Sequence, residues 1–347
     1  MVIDVHGHLS APPELYAYKS NLLASRGYHG RGNPGITDER MREAATPHLK
    51  LLEGVGTDVQ FISPRPFQLM HSETPATIVR WWAEANNDVI ASQCRAYPDV
   101  FRGVCALPQT PDGDMRACVE ELERCVMELE FVGCLINPDP TEGTGLMPTL
   151  DDEYWYPLYD KMVELDTPGL VHSTACKNFR ESYSAHFITE ESVAVLNLCK
   201  KESRVFRDFP GLKLIISHGG GSVPYQIGRW RARRLREQEA NPSLEPFDES
   251  LRRLYYDTVL YNPESLDFLF RVVGTDRCLF GTENPGSGSS RDPKTSRMLD
   301  DLKPVIEGIS WLGADDSRRI FEDNARAVFP RFKVSATVTP TKSEATP

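Results

Sequence analysis

MVIDVHGH, Met1 to His8, is an apolar, β-branched run that ends in two histidines flanking a glycine. Val2, Ile3 and Val5 suit a strand with both faces buried. In a strand, residues i and i+2 point the same way, so the His6 and His8 imidazoles face one side and can ligate one cation. Gly7 between them lets the backbone bend close to that point. Taken alone, such a pair is more often solvated or structural than metal-binding, so its meaning depends on what the rest of the chain sets beside it.

Seven further runs of the same kind follow: DVQFISPR (58–65), FRGVCALP (101–108), FVGCLINP (131–138), PGLVHST (168–174), LKLIISHGG (212–220), LYYDTVLY (254–261) and RCLFGTEN (277–284). Helical stretches separate them, with apolar residues at i, i+3 and i+4, at 76–98, 115–129, 156–166, 191–209 and 317–329. Buried strands alternating with amphipathic helices predict βαβ units in a parallel sheet, and eight units fit a closed α/β barrel, the (β/α)8 TIM fold, better than an open sheet. One domain over residues 1–332 is expected. It is distorted by a long insertion after strand one (9–45) and a shorter one after strand five (175–188), both on the C-terminal face where barrel enzymes build their sites. The Thr/Pro/Ser-rich tail, 333–347, is expected to be disordered.

Composition narrows the classes. At 40% hydrophobic and 26% charged residues the chain is neither collagenous, mucin-like nor largely disordered. No apolar stretch reaches the roughly 18 residues of a membrane span, and the N-terminus lacks a secretory pattern, so a cytoplasmic protein without a membrane partner is expected. The net charge of −11 opposes a polyanionic partner and predicts no nucleic-acid binding. The eight cysteines show no CxxC pair and read as reduced, mostly core thiols.

Four more candidate ligands fall at the ends of predicted strands: His172 on the fifth, His218 on the sixth, Asp257 in the seventh and Glu283 on the eighth. Barrel closure gathers such ends around one mouth, and the chain has only eight histidines. Histidine and carboxylate suit zinc, manganese or iron, and three or four protein ligands with a position left for water describe a catalytic site. Asp257 is the weakest member, better read as a loop anchor. Gly219 to Gly221 lacks the Lys-Ser/Thr of a phosphate loop and reads as close backbone approach.

HGH on strand one, a lone histidine on strand five, SHGGG on strand six and FGTE on strand eight resemble the amidohydrolase superfamily. The resemblance runs from residue 1 to about 330 and points to the amidohydrolase-2 branch of decarboxylases, hydratases and related lyases. The phrases SPRPFQ (63–68), LPQ (107–109), NPDP (137–140), YWYPLY (154–159), SHGGGSVPYQIGR (217–229) and FGTENPG (280–286) are similar to 4-oxalomesaconate hydratases. They look closer still to zinc-dependent carbon–carbon hydrolases of aromatic ring-fission products. The resemblance implies that His6, His8, His172 and Glu283 bind Zn2+, with Mn2+ or Fe2+ as alternatives. It further implies that His218, assisted by Glu283, moves protons, and that Arg65 and Arg229 hold substrate carboxylates.

A glutamate on strand eight, where most of the superfamily has aspartate, argues against decarboxylation. His186 stands about where the hydratase pattern offers a tyrosine, which weakens hydration. The leading expectation is therefore hydrolytic cleavage of a carbon–carbon bond in a carboxylated ring-fission product. The alternatives are hydration of a conjugated unsaturated polycarboxylate, a dinuclear iron oxygenase with His186, Glu190 or Asp257 at a second metal, and a non-catalytic zinc subunit. Tyr183 and His186 are further candidates for substrate contact. Thr189 reads as a helix N-cap with Glu190 and Glu191 in its first turn, and SRGYHGRG (25–32) as a lid or surface loop. His48 and His71 read as surface residues. A homo-oligomer, dimer or tetramer, is expected, with a small carboxylated molecule as substrate.

Overall fold

All eight apolar runs form strands, each shorter than its run: β1 Ile3–His8, β2 Val59–Ser63, β3 Phe101–Cys105, β4 Gly133–Ile136, β5 Gly169–Val171, β6 Leu214–Ile216, β7 Tyr255–Asp257 and β8 Cys278–Leu279. In this computed structural model the described residues are 1–177 and 183–333, without the side chains of 183–185. The strands pair in parallel and in chain order, with Val171 opposite Ile216 and Tyr256 opposite Cys278. Backbone bonds between the first and last strands close the ring: Val5 N–H donates to Phe280 O at 2.9 Å, Glu283 N–H to His6 O at 2.6 Å, and His8 N–H to Asn284 O at 3.1 Å. The residues left over from each run beyond its strand become loops at the C-terminal mouth.

The register of β1 against β2 slips between Asp4 and Gly7. Ile3 and Val5 pack in the barrel interior, so strict alternation would turn His6 outward. The bulge resets the phase and brings His6 and His8 inward as well.

Phe61, Val104, Leu135, Leu170, Ile215 and Leu279 fill the same interior, which the C-terminal residues Val328, Phe329 and Phe332 close where the strands begin. The Phe61 ring stands edge-on to Phe329 and Phe332 at 4.8 and 5.1 Å. Phe329 is 2% exposed. Phe329→Ala is expected to destabilise the fold by about 3 to 5 kcal/mol through lost burial and the cavity left behind. Urea or thermal unfolding checks this, and a change below about 1 kcal/mol would mean that the segment is not part of the core.

Among the described residues eleven α-helices surround or cap the strands: α1 Pro13–Ser25, α2 Asp38–Val55, α3 Ala76–Ala96, α4 Arg116–Met127, α5 Tyr156–Glu164, α6 Tyr183–Cys199, α7 Val205–Asp208, α8 Ile227–Ala240, α9 Phe247–Leu251, α10 Pro263–Val273 and α11 Lys303–Glu307; three short helical segments, Ala314–Arg318, Arg319–Asp323 and Asn324–Val328, end the described chain. Their apolar spacing sets their packing. Helix α4 buries Cys118, Leu122, Cys125 and Val126. Helix α10 starts on Pro263 with the Asn262 side chain accepting from Ser265 N–H, and buries Leu266, Leu269, Phe270 and Val273.

The insertion after β1 supplies α1, whose Tyr18 ring meets Trp82 of α3, and the first part of α2, capped by Thr37. Arg26, beyond α1, pairs with Glu73 in the loop after β2, which ties the insertion to the C-terminal face. The expected helix over 191–209 is corrected in two respects. It begins at Tyr183, so Thr189 lies inside α6 rather than capping it, and it breaks after Cys199 before the short α7. Residues 178–182 and 334–347 lie outside the described residues, and with them nearly all of the tail expected to be disordered. Among the described residues no helix is long and apolar enough to cross a membrane. All eight cysteines are free thiols, six of them buried.

Candidate metal centre

His6 and His8 end β1, His172 follows β5 and Glu283 lies four residues beyond β8. One ligand atom from each lies within 4.8 Å of the others, and all four residues are buried. Each histidine is oriented through Nδ1. That of His6 bonds Asp257 Oδ2 at 2.7 Å, that of His8 the Ser63 hydroxyl at 3.1 Å, and that of His172 the carbonyl of Ser173 at 2.6 Å. These bonds leave the three Nε2 atoms for the centre. Those of His6 and His172 are fully buried with no hydrogen-bond partner among the described residues, a costly arrangement for polar atoms unless something binds there. Glu283 Oε1 approaches at 3.9 Å from His8 Nε2 and 4.0 Å from His172 Nε2. Burial pushes His8 down to about 4 and His172 well below the usual imidazole range, so both are neutral and able to donate a lone pair at pH 7. Three Nε2 atoms and one carboxylate oxygen, on side chains that each make a further hydrogen bond, fit a divalent cation.

His218 stands beside this set, with Nε2 3.6 Å from Glu283 Oε1. Its Nδ1 meets both oxygens of Glu191, at 2.8 and 3.0 Å, and Glu191 is fully buried. Burial disfavours the imidazolium, but the carboxylates of Glu191 and Glu283 on either side outweigh it and hold His218 above its usual range. For Glu283 burial works against ionisation, and the bonds from His218 and His8 overcome it and hold the acid well below the usual carboxylate range. His218 and Glu283 both adopt left-handed backbone, φ 51° and 62°, which costs a non-glycine residue energy and is tolerated where a site requires it. Next to His218, Gly219 has φ 63°, and a Cβ there would fall 2.9 Å from Leu260. Close approach is therefore the role of the glycine run, as its sequence suggests.

A cavity of about 370 Å³ opens onto the centre, lined by His8, His172, Glu283, Arg65, Phe67 and Phe187 among others. Arg65, just past β2, is half-buried, and no carboxylate among the described residues lies within salt-bridge distance of it.

Arg229 does not join this cavity. It is exposed on the outer face of α8, in a surface groove with Lys201, Arg233 and Arg236. The helix carries Arg229 away from the barrel axis although SHGGG, ten residues earlier, lies at the mouth. His186 is buried with Nε2 3.7 Å from Asp139 Oδ2, in a neighbouring cavity of about 380 Å³ that also includes Glu190. The Tyr183 side chain lies outside the described residues. Asp257 is an anchor and more: besides His6 it accepts from the backbone N–H groups of Gly219 and Val259.

His48 and His71, expected at the surface, are 4% and 2% exposed. His48 sits on the buried side of α2, its Nδ1 bonded to the Ser10 hydroxyl. His71 is tied to Asn137, and burial lowers them to about 4 and about 3 respectively. Two residues at the centre escaped sequence reasoning. For Glu191 the sequence favours helix capping over reach to the site. Tyr261 drew no notice, yet its hydroxyl donates to Glu283 Oε2 at 2.5 Å. The one available signal for Glu191 was its place in an otherwise apolar stretch, ESVAVLNL, where an unpaired acid would be out of place.

The profile of the amidohydrolase family matches residues 3–331. The chain is 36% identical to the 2-keto-4-carboxy-3-hexenedioate hydratase of Sphingobium sp. (strain NBRC 103272 / SYK-6), over 96% of this chain and 97% of that protein. Its structure resembles that of the 4-oxalomesaconate hydratase of Rhodopseudomonas palustris with a TM-score of 0.85 and 32% identity, covering 95% of this chain and 96% of the other. A gamma-resorcylate decarboxylase of Rhizobium sp. is 29% identical, over 78% of this chain and 86% of its own length. With the barrel, the buried His/Glu set and a match over almost its whole length, the chain belongs to the amidohydrolase family of metal-dependent enzymes.

Proposed function

We propose that the protein is a metal-dependent hydratase that adds water across a conjugated carbon–carbon double bond of a small polycarboxylate from aromatic ring fission. This corrects the order of the sequence-based expectations, in which carbon–carbon hydrolysis stood first. Both relatives described above that exceed 30% identity and span the chain are hydratases, and hydration needs no leaving group. Zinc remains the ion favoured for the His/Glu set, with manganese or iron as substitutes.

The observation that carries the reading is the juxtaposition of Arg65, an arginine with no acidic partner among the described residues, with the His/Glu centre across one cavity. In a protein of net charge −11, an unpaired guanidinium at a pocket wall marks the seat of an anion, and its planar fork suits a carboxylate. The rings of Phe67 and Phe187 supply apolar walls for the unsaturated segment. When bound, a divalent ion at the centre polarises a substrate oxygen and acidifies a water. His218 carries the proton: with Nδ1 bonded to Glu191, its Nε2 lies 3.6 Å from Glu283, a residue of the cavity wall, and it delivers a proton to one alkene carbon as hydroxide adds to the other. One C–O and one C–H bond form, the π bond and one O–H bond of water break, and the proton lost by the water restores the one that His218 gave up, so atoms balance with water alone.

The test supplies the zinc-loaded protein with 4-oxalomesaconate and identifies the product by mass. A single product heavier by one water supports hydration. Two fragments would restore carbon–carbon hydrolysis, and release of carbon dioxide would place the protein with the decarboxylases. Arg65→Met is expected to lower kcat/KM about 10- to 100-fold, mostly through KM, since a charge-assisted pair contributes about 1.5 to 3 kcal/mol. An unchanged KM would remove Arg65 from the substrate site.

A further inference from the structure

We infer that Tyr261 is a positioning residue that holds Glu283 to ligation through one oxygen, so that the metal keeps a position for water or substrate. The inference rests on the metal-dependent reading above. The two oxygens of Glu283 have different surroundings. Oε1 faces the Nε2 atoms of His8, His172 and His218 at 3.9, 4.0 and 3.6 Å. Oε2 is taken up by the Tyr261 hydroxyl at 2.5 Å.

The phenol is not free to swing away. Tyr261 has φ 60°, its residue is half-buried, and a Cβ on Gly288 would lie 2.3 Å from its ring. The glycine thus admits the ring and the loop after β8 covers it. Two residues in left-handed backbone, Tyr261 and Glu283, meet through this one hydrogen bond.

The consequence is one of coordination number. His6, His8, His172 and one carboxylate oxygen supply four protein donors. A second oxygen from a chelating carboxylate would fill a further position on the ion, the one that a reacting water needs. A donor bound to Oε2 keeps that oxygen from turning to the ion, in the way that partners of metal-ligating side chains set their orientation. A purely structural phenol would leave the coordination unchanged when its hydroxyl is removed.

The experiment compares the full chain with Tyr261→Phe, which keeps the ring, after replacing the native ion by Co2+. Visible absorption of Co2+ weakens as its coordination number rises. At saturation the variant is expected to bind one Co2+ per chain with a weaker absorption band than the parent, and with a Kd about 10- to 100-fold higher. Its kcat is expected to fall more than its KM changes. An unchanged spectrum together with an unchanged Kd would overturn the positioning role while leaving the metal-dependent reading intact. Failure of the parent protein to take up Co2+, Zn2+ or Mn2+ would overturn that reading, and the inference with it.

Discussion

His6→Ala is expected to lose stoichiometric divalent metal, and with it all measurable turnover. His6 supplies one of three Nε2 atoms around the centre, and its Nε2 has no hydrogen-bond partner among the described residues. Removing one donor of four lowers affinity by more than the 10- to 100-fold typical of a lost supporting residue. The substitution also strands Asp257, which is completely buried and keeps only the two backbone N–H groups that reach Oδ1. A buried carboxylate that loses a partner costs about 1 to 3 kcal/mol, so the metal-free variant should also melt earlier than the metal-free parent. His6→Asn separates the two effects: an amide can still donate to Asp257 but puts no nitrogen at the centre. Elemental analysis after exhaustive dialysis reads metal content, and thermal unfolding reads the fold. Full occupancy in a folded His6→Asn protein would mean that the ion, if any, binds elsewhere.

His218→Asn is expected to behave in the opposite way, retaining its metal while turnover falls by about 10² to 10⁴, the range for removal of a general acid or base. The geometry separates the roles. His218 is not in the four-atom set; its Nδ1 is committed to Glu191, and its Nε2 lies 3.6 Å from Glu283 rather than alone at the centre. Asparagine can donate to Glu191 through its amide, so the buried acid keeps a partner and the fold should hold. Single-turnover kinetics beside metal analysis decides between outcomes. Loss of metal would make His218 a direct ligand, and unimpaired turnover would exclude it from proton transfer.

These two histidines also mark how far the sequence could be read. The eight apolar runs announce the barrel because strand burial and helical spacing are local patterns of residue type, and hydrogen bonding of parallel strands in order leaves few other ways to bury them. The four residues of the metal set were legible for a related reason. Each sits at or just beyond the end of a strand, and ring closure sends every strand end to the same mouth, so sequence position alone brings them together. Burial of His6 and His8 on one side followed from their spacing, although the bulge in β1 that turns them inward was not visible.

Partnerships that depend on how one element packs against another were not legible. Glu191 lies inside α6, 27 residues before His218, and reaches it only because that helix presents this face to the loop after β6. Tyr261 finds Glu283 through the approach of two loops around Gly288. Arg229 shares a motif with the mouth residues yet points away, because the phase of α8 is set by the burial of Ile227 and Arg234, the latter bonded to Cys199 O at the end of α6 and to Ser250 of α9. His48 and His71 looked like surface histidines from their polar neighbours and are buried by α2 and by the loop after β2. Residue type and period thus determined the barrel and the gathering of His6, His8, His172 and Glu283 at its mouth. The orientation of those side chains, the Glu191–His218 bond and the shape of the pocket were decided by tertiary packing, since they rest on contacts between segments whose mutual rotation no local pattern encodes.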